Sequence, residues 1–503
     1  MASAKKNPRV LVVTPEVTYL PDRMGNFSRY LTAKAGGLAD VSAALISALF
    51  NEGADVHVAL PDYRSIFHDR LAPFLEREQW AIKNVMPDDR VHLAQDRAFF
   101  YLNRVYSSYG GENTKLSLAF QREVINNIVP RVRPDLIHCN DWMTGFIPAM
   151  ARQMGIPCLF TIHNIHTVKA NLAHIEDRGI DAAYFWQHLF FEQFAPSYED
   201  AWAANPVDFL VSGVFAAHFV NTVSPRFLEE IVEGRHDFVE WPLRQELTNK
   251  FHAGCAAGIL NAPDPAFNPR TDQAIHRTYT AADHAEGKLE NKRHLQEMLG
   301  LVRDDRAPLF FWPSRLDPVQ KGCQLLAEAF YGIISDYWDR NLQVVFVANG
   351  DYQQVFRDIV NRHGFHRQVA VYDFNENLEH LAYAAADFIL MPSLFEPCGL
   401  PQMIAPLYGT LPVAHDTGGI HDTIFHLDAD RDYGNGFLFN TYDAGGLYWG
   451  VTQAMAFFDL PDTVRQKQIQ RIMQQSAASF NHANTARQYI ELYEKMLARP
   501  LIN

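Results

Sequence analysis

Glu396 stands in the stretch Phe395-Glu396-Pro397-Cys398-Gly399-Leu400, which follows the apolar run Asp387 to Ser393 and precedes a helical pattern. A strand handing over to a helix here would lie at the carboxyl edge of a sheet, where α/β proteins bind phosphates. Gly399 lets the backbone approach a ligand, and Pro401 suits a first helical position. A carboxylate repels phosphate, so Glu396 reads as an acceptor for hydroxyls on whatever the phosphate carries, and a sugar fits that chemistry. The alternative is a carboxylate favoured by a helix dipole. Upstream, Arg315 offers a planar fork and Lys321 a point charge, either a local anion clamp or a solvated basic loop. Near the start, Lys34-Ala35-Gly36-Gly37-Leu38 precedes a helix. Its glycines can present backbone N–H groups to an anion that Lys34 also reaches, or simply form a tight turn. His163 ends an apolar strand, where histidine by type alone is structural.

Positioning these residues requires parallel sheets. Val10–Val13, a helix from about Ala39 to Gly53, and the strand Ala54–Leu60 set a βαβ rhythm. Asp135–Cys139 and Cys158–His163 are further buried strands that stop at polar residues. A second series follows Gly258, with strands at 309–312, 343–348, 369–372 and 388–391. The segment 258–272, with Pro263, Pro265 and Pro269, reads as the crossing between two doubly wound halves.

Six separated segments, in order, resemble the glycogen and starch synthase family of retaining glucosyltransferases. They are Lys34–Val41, His138-Cys139-Asn140-Asp141-Trp142, Thr161-Ile162-His163-Asn164, Thr222–Pro225, Ser314-Arg315-Leu316 with Gln320-Lys321-Gly322, and the Glu396 segment running on to Thr417-Gly418-Gly419. The resemblance implies an α/β protein of GT-B architecture, two Rossmann-like domains facing across a cleft. Expected bounds are 1–258 for the acceptor domain, 259–483 for the nucleotide-sugar domain and 484–503 for a last helix returning to the first. It implies catalytic roles for His163, Arg315, Lys321 and Glu396. Donor or sugar contacts are implied for Lys34, Gly36, Gly37, Asp141, Asn164, Phe374, Cys398, Gly399, Leu400, Thr417 and Gly418. Phe374 would stack on the nucleotide base, Asp141 would orient or stabilise without acting as nucleophile, and Trp142 either stacks on glucan or sits in the core. The expected reaction is glucose transfer from ADP-glucose to the non-reducing end of an α-1,4-glucan. UDP-glucose is the alternative donor, and a non-catalytic glucan-binding homologue the alternative class.

Four departures from the family pattern stand out. Arg315 and Lys321 are six apart where five is usual, so their loop must bulge. Thr18 to Ala33, with Tyr19 and Phe27, is an inserted loop that could act as a lid or alter acceptor access. After His163-Asn164 the chain reads Ile165–Lys169 in place of an aromatic residue followed by Gln-Gly, which leaves the acceptor side least transferable. Pro401 replaces a threonine that would offer a hydroxyl and an N–H, shifting phosphate binding onto Gly399, Leu400, Arg315 and Lys321. No carboxylate stands eight residues beyond Glu396, at Ile404, so a paired-glutamate scheme is unsupported and front-face substitution is expected.

Composition narrows the partners. At 503 residues with 48% hydrophobic and 20% charged content, the chain suits a globular enzyme of two domains. A net charge of -14 argues against sequence-independent nucleic-acid binding, so an anionic ligand needs a local cation cluster. Five scattered cysteines lack zinc or disulfide spacing, and no signal core or membrane-length run is evident, so a cytoplasmic location is expected. The 21 histidines show no metal-ligand spacing, and Arg315 with Lys321 could replace a divalent ion. No cofactor beyond the donor is expected. A dehydrogenase is disfavoured because no G-x-G-x-x-G follows the first strand, and no lysine segment suggests the pyridoxal phosphate of a phosphorylase.

Overall fold

A computed structural model describes residues 7–25, 28–67, 90–107 and 111–502. The chain divides into two compact units, residues 1–261 with 482–503, and residues 262–481.

The first unit is built on β1 (Arg9–Val13), β2 (Asp55–Pro61), β3 (Val91–Ala94), β4 (Leu136–Asn140), β5 (Cys158–Ile162), β8 (Phe219–Thr222) and β9 (Ala256–Gly258), with a separate antiparallel pair, β6 (Lys169–Ala170) and β7 (Val207–Asp208). The main sheet is parallel throughout, in the order β3-β2-β1-β4-β5-β8-β9. β4 and β5 are buried along their whole length, which is why they are mostly apolar, with His138 and Thr161 paired to each other, His138 Nε2 and Thr161 Oγ1 being 2.6 Å apart. The first helix spans Gly37–Asn51, two residues earlier than expected, because Gly36 takes the extended N-cap conformation. The last helix, His482–Leu497, packs into this unit. The Tyr493 hydroxyl and His138 Nδ1 are 2.7 Å apart, and Asn221 Nδ2 donates to the Tyr489 hydroxyl at 3.0 Å.

The second unit carries β10 (Leu309–Trp312), β11 (Gln343–Val347), β12 (Val369–Tyr372), β13 (Phe388–Met391), β14 (Leu411–His415) and β15 (Phe437–Phe439), all parallel in the order β12-β11-β10-β13-β14-β15. Side chains alternate faces along a strand, so each strand feeds two cores. Phe310, Trp312, Phe346, Phe388 and Leu390 pack on one face with the helices Cys323–Asp336 and Ala444–Phe458. Leu309, Phe311, Val345, Ile389 and Met391 pack on the other with the helices His284–Leu299 and Glu376–Ala385. Both sheets reverse strand order beside their central strand, at β1/β4 and β10/β13, and ligands of such sheets bind at the carboxyl edge of that point.

The described residues of the Thr18–Ala33 insertion are pinned rather than loose. Val17 and Ala33 exchange backbone hydrogen bonds at 2.9 and 2.8 Å across its base, and Leu20 and Met24 are buried in the first core. Tyr19 packs partly against that core; Phe27 lies outside the described residues. Among the described residues no helix is long and apolar enough to cross a membrane.

Candidate active site

In the first unit, three functional segments leave the carboxyl ends of neighbouring strands β1, β4 and β5. Asp141 follows β4 at φ 56° and ψ 179°, a positive-φ extended conformation ordinarily confined to glycine, which costs any other residue about 1–3 kcal/mol and points to an imposed geometry. Its buried Oδ1 accepts the His163 N–H at 2.7 Å. Burial, with a smaller contribution from the charge of Glu16, pushes the Asp141 carboxyl up to about 7, although backbone N–H groups of His163 and Asn164 bond its ionised form. His163, after β5, is partly buried, and its Nε2 lies 2.9 Å from Asn140 Oδ1. Because Asn140 Nδ2 donates to Val13 O at 3.1 Å, Asn140 presents its oxygen to the ring, so Nε2 carries the proton and Nδ1 keeps a lone pair. Burial holds this imidazole down to about 3. A neutral ring can stand beside developing positive charge without opposing it. Asn164 is exposed, its Oδ1 accepting the His166 N–H at 2.8 Å.

The Lys34 segment is held by Glu16, which follows β1. The Ala35 and Gly36 N–H groups donate to Glu16 Oε2 at 2.6 and 3.0 Å, and the Tyr106 hydroxyl donates to Oε1 at 3.2 Å. Burial raises the Glu16 carboxyl above its ordinary value. Lys34 pairs with Asp40 at 3.0 Å. A Cβ added at Gly36 or Gly37 would meet nothing within 4 Å, so the fold itself does not demand glycine at either position. Trp142 is 6% exposed and packs edge-on against Phe209 and His166, which places it in the core rather than on a glucan.

The second unit gathers its residues beyond β10, β11, β12, β13 and β14. Lys321 Nζ lies 2.6 Å from Glu396 Oε2, and the Ser393 hydroxyl donates to the same oxygen at 3.1 Å. The extra residue between Arg315 and Lys321 is absorbed in a turn: Asp317 Oδ1 accepts the Val319 N–H at 2.8 Å, and Asp317 O accepts the Lys321 N–H at 2.9 Å. Arg315 is exposed at the head of this turn. Asn349, after β11, ties the turn to Phe374: Asn349 O accepts the Leu316 N–H at 2.9 Å, and its Oδ1 accepts the Phe374 N–H at 3.0 Å. Phe374 leaves its ring 52% exposed. Gly399 has φ 74°, and Pro401 opens the helix Pro401–Leu407, so Glu396 lies before that helix rather than in its first turn. Cys398 is buried, Leu400 partly so, and Cys398 O accepts from Gln402 Nε2 at 2.8 Å. Thr417 N-caps the helix Gly418–Thr423, whose glycines dock on the Glu396 backbone. The Gly419 N–H donates to Glu396 O at 2.9 Å, and a Cβ on Gly418 would lie 2.1 Å from that oxygen.

Thus the first unit assembles Asp141, His163 and Asn164 beside the Glu16-held Lys34 loop, and the second assembles Arg315, Lys321, Phe374, Glu396, Gly399 and Gly418. Asn140, Glu16 and Asn349 are positioning residues that motif reading did not single out. Asn140 lies inside a quoted motif, and Asn349 precedes Gly350 at a strand end, an Asn-Gly signal of a tight turn. A cavity of about 490 Å³ beside Lys288, Lys292 and Asp387 sits at the opposite, amino edge of the second sheet, where Lys292 pairs with Asp387 at 2.6 Å; it takes no part in this arrangement. Among the described residues no cluster of three or more His, Cys, Asp or Glu could hold a metal ion.

Residues 9–243 match the family model for the starch synthase catalytic domain, and residues 307–456 that for group 1 glycosyl transferases. The glycogen synthase of Geobacillus thermodenitrificans is 31% identical, the alignment covering 93% of this chain and 96% of that one. The chain belongs to the glycogen and starch synthase family. The Lacticaseibacillus casei glycogen synthase is 32% identical over 93% of this chain and 97% of its own. Among solved structures, the catalytic domain of starch synthase IV from Arabidopsis thaliana, bound to ADP and acarbose, superposes with a TM-score of 0.77 at 26% identity, covering 98% of this chain and 100% of that one. A sucrose-phosphate synthase from Thermosynechococcus elongatus shares the fold, with a TM-score of 0.56 at 18% identity. This member of the family is a GT-B glycosyltransferase with two parallel-sheet α/β units.

Proposed function

We propose that the protein transfers glucose from ADP-glucose to the non-reducing end of an α-1,4-glucan, with retention of configuration, in the cytoplasm. The observation that carries this reading is the pairing of Glu396 with Lys321 and Ser393 in a loop that also receives the glycines after β14. In this reading, Lys321 and Arg315 neutralise the charge that grows on the departing diphosphate, a stabilisation of about 3 kcal/mol per donor. Lys34 and the Gly36-Gly37 backbone contact the donor, and Phe374 stacks on its base. Glu396 Oε1, not engaged by Lys321 or Ser393, accepts sugar hydroxyls. The bond from the anomeric carbon to phosphate oxygen breaks as the acceptor hydroxyl attacks from the same face, and a phosphate oxygen takes that hydroxyl's proton. Neutral His163 and the Asp141 carboxylate favour the positive charge on the sugar. Arg315 and Lys321 do the work of a divalent ion, so no metal or cofactor is required.

The ADP donor is supported by the starch synthase IV neighbour, whose structure holds ADP. Nothing among the named residues reads the base, so UDP-glucose is the second reading. Pro401 favours a third, a glucan-binding homologue without transfer, because it removes a phosphate donor at the first helical position. Labelled ADP-glucose and UDP-glucose are offered with glycogen to the purified protein and to Arg315→Ala and Glu396→Ala. Label enters the polymer from ADP-glucose, and each variant loses about a hundredfold in rate. Intact, folded protein that incorporates neither label refutes the proposal.

A further inference from the structure

The loop that leaves His163 departs from the family pattern, and it leads to a surface with its own chemistry. Thr167 Oγ1 donates to Asp208 Oδ1 at 2.7 Å, and Val168 O accepts the Phe209 N–H at 3.1 Å, so the loop is fastened before it enters β6 at Lys169. There Lys169 Nζ reaches Glu192 Oε1 at 2.7 Å and Glu240 Oε2 at 3.6 Å. Two residues past Glu192 stands Phe194, 91% exposed; next to Glu240 stands Trp241, 68% exposed.

Both rings are presented on fixed backbone. The Glu192 N–H donates to Pro206 O at 3.0 Å, and the buried Asn205 amide clasps Gln193 by both its N–H, at 3.1 Å, and its carbonyl, at 2.7 Å. Trp241 is the first residue of the helix Trp241–His252, with Pro242 locking the turn. Two large rings, each within two residues of a carboxylate of the charged cluster, thus stand largely in water on fixed backbone and serve little packing purpose.

We propose that Phe194 and Trp241, together with the adjoining Lys169–Glu192–Glu240 cluster, form the platform that holds the α-glucan acceptor beyond the sugar beside His163. This rests on the reading of the protein as a glucan-extending transferase. A glucose ring has apolar C–H faces that stack on an aromatic ring, and hydroxyls around its rim that bond to carboxylates and an ammonium. One lysine against two glutamates leaves the cluster with excess negative charge, which disfavours a nucleotide or phosphate and suits a neutral polyol. The surface is continuous along the chain with His163 and Asn164, so a polymer anchored at the sugar site has a path onto it.

Maltoheptaose titrated into the full-length protein by calorimetry tests this, with Trp241→Ala, Phe194→Ala and Trp241→Phe alongside and ADP titrated as a control. Each alanine variant binds maltoheptaose about tenfold more weakly, Trp241→Phe stays within about twofold, and ADP affinity is unchanged. Both side chains are exposed, so the variants melt with the parent. Alanine variants that bind maltoheptaose as tightly as the parent overturn the platform, as does a parent dimer in sedimentation that both variants abolish. The two readings fail separately. Tight, Trp241-dependent glucan binding without glucose transfer sinks the transferase reading alone, whereas intact transfer with glucan binding indifferent to both rings sinks only the platform.

Discussion

Replacing Lys321 by methionine tests the pair at the centre of the second unit. The ammonium and carboxylate are 2.6 Å apart, with side chains only 13% and 6% exposed. Removing the lysine strands Glu396 as a buried charge with Ser393 as its remaining side-chain donor, and losing one partner of such a pair costs about 3–5 kcal/mol. For a unit of this size that lowers the melting temperature by about 10 °C. Glu396→Gln added to Lys321→Met removes the stranded charge while keeping the side chain's volume, so the double variant recovers most of the loss. The double variant does not recover transfer, because the cation proposed for the phosphate and the carboxylate proposed for the sugar are then both missing. Calorimetric melts of the parent, both single variants and the double variant, read with initial rates on glycogen, close the cycle. A double variant as unstable as Lys321→Met alone would show that the cost comes from lost packing of the lysine stem and refute the electrostatic argument. Recovery of rate together with stability would mean that the pair is structural only.

Three further outcomes follow from the same geometry. Gly37→Ala, whose Cβ meets nothing, raises unfolding stability by about 0.5–1 kcal/mol in circular-dichroism melts yet lowers kcat/KM at least tenfold, whereas Gly418→Ala, at φ 46° and 2.1 Å from Glu396 O, lowers both. Because the folded Asp141 carboxyl titrates at about 7 and the unfolded one at 3.8, the folded state holds an extra proton between these values. The contribution of Asp141 to stability therefore falls as pH rises from about 4 to 7, by an amount on the order of 4 kcal/mol and opposite in sign to that of the depressed His163 imidazole, and urea titrations across that range show it as the pH-dependent difference between the parent and the isosteric Asp141→Asn. Glu16→Gln loosens the Ala35 and Gly36 N–H bonds and raises KM for the donor about tenfold in initial-rate assays, while Tyr106→Phe, which touches only the other oxygen, changes it by less than about threefold.

The central strands were legible because burial on both faces writes them as apolar runs, unbroken in Val10–Val13 and Phe388–Met391 and interrupted only by Thr161 in Cys158–Ile162. The short strands Val91–Ala94, Phe219–Thr222, Ala256–Gly258 and Phe437–Phe439 carry three or four residues each and are either broken by polar residues, such as His92 and Asn221, or only three residues long, so neither apolar run nor length separates them from loop. At the site, residue type and spacing pointed to Lys321 and Glu396 but not to the bond between them, since partners 75 residues apart meet only through the sheet. Glu16 was hidden for the same reason: a carboxylate whose work is to accept two backbone N–H groups from a loop 19 and 20 residues away looks like any other glutamate at a strand end.

The departures from the family pattern differ in kind, and the structure separates them. The added residue between Arg315 and Lys321 is neutralised locally, because Asp317 caps the turn with both its side chain and its carbonyl and returns Lys321 to Glu396. Pro401 is invisible to the fold, since the first helical position needs no N–H, so whatever it changes falls on a ligand rather than on stability. The Thr18–Ala33 insertion is closed at its base and rooted by Leu20 and Met24, which argues for a fixed wall and against a moving lid. Only Ile165–Lys169 redirects the chain, carrying it from His163 to an ion cluster flanked by open aromatic rings. A departure that spares Arg315, Lys321 and Glu396 and alters the surface next to His163 is what the proposed acceptor platform requires, because the donor's diphosphate is constant while the polymer presented to it varies in length and branching.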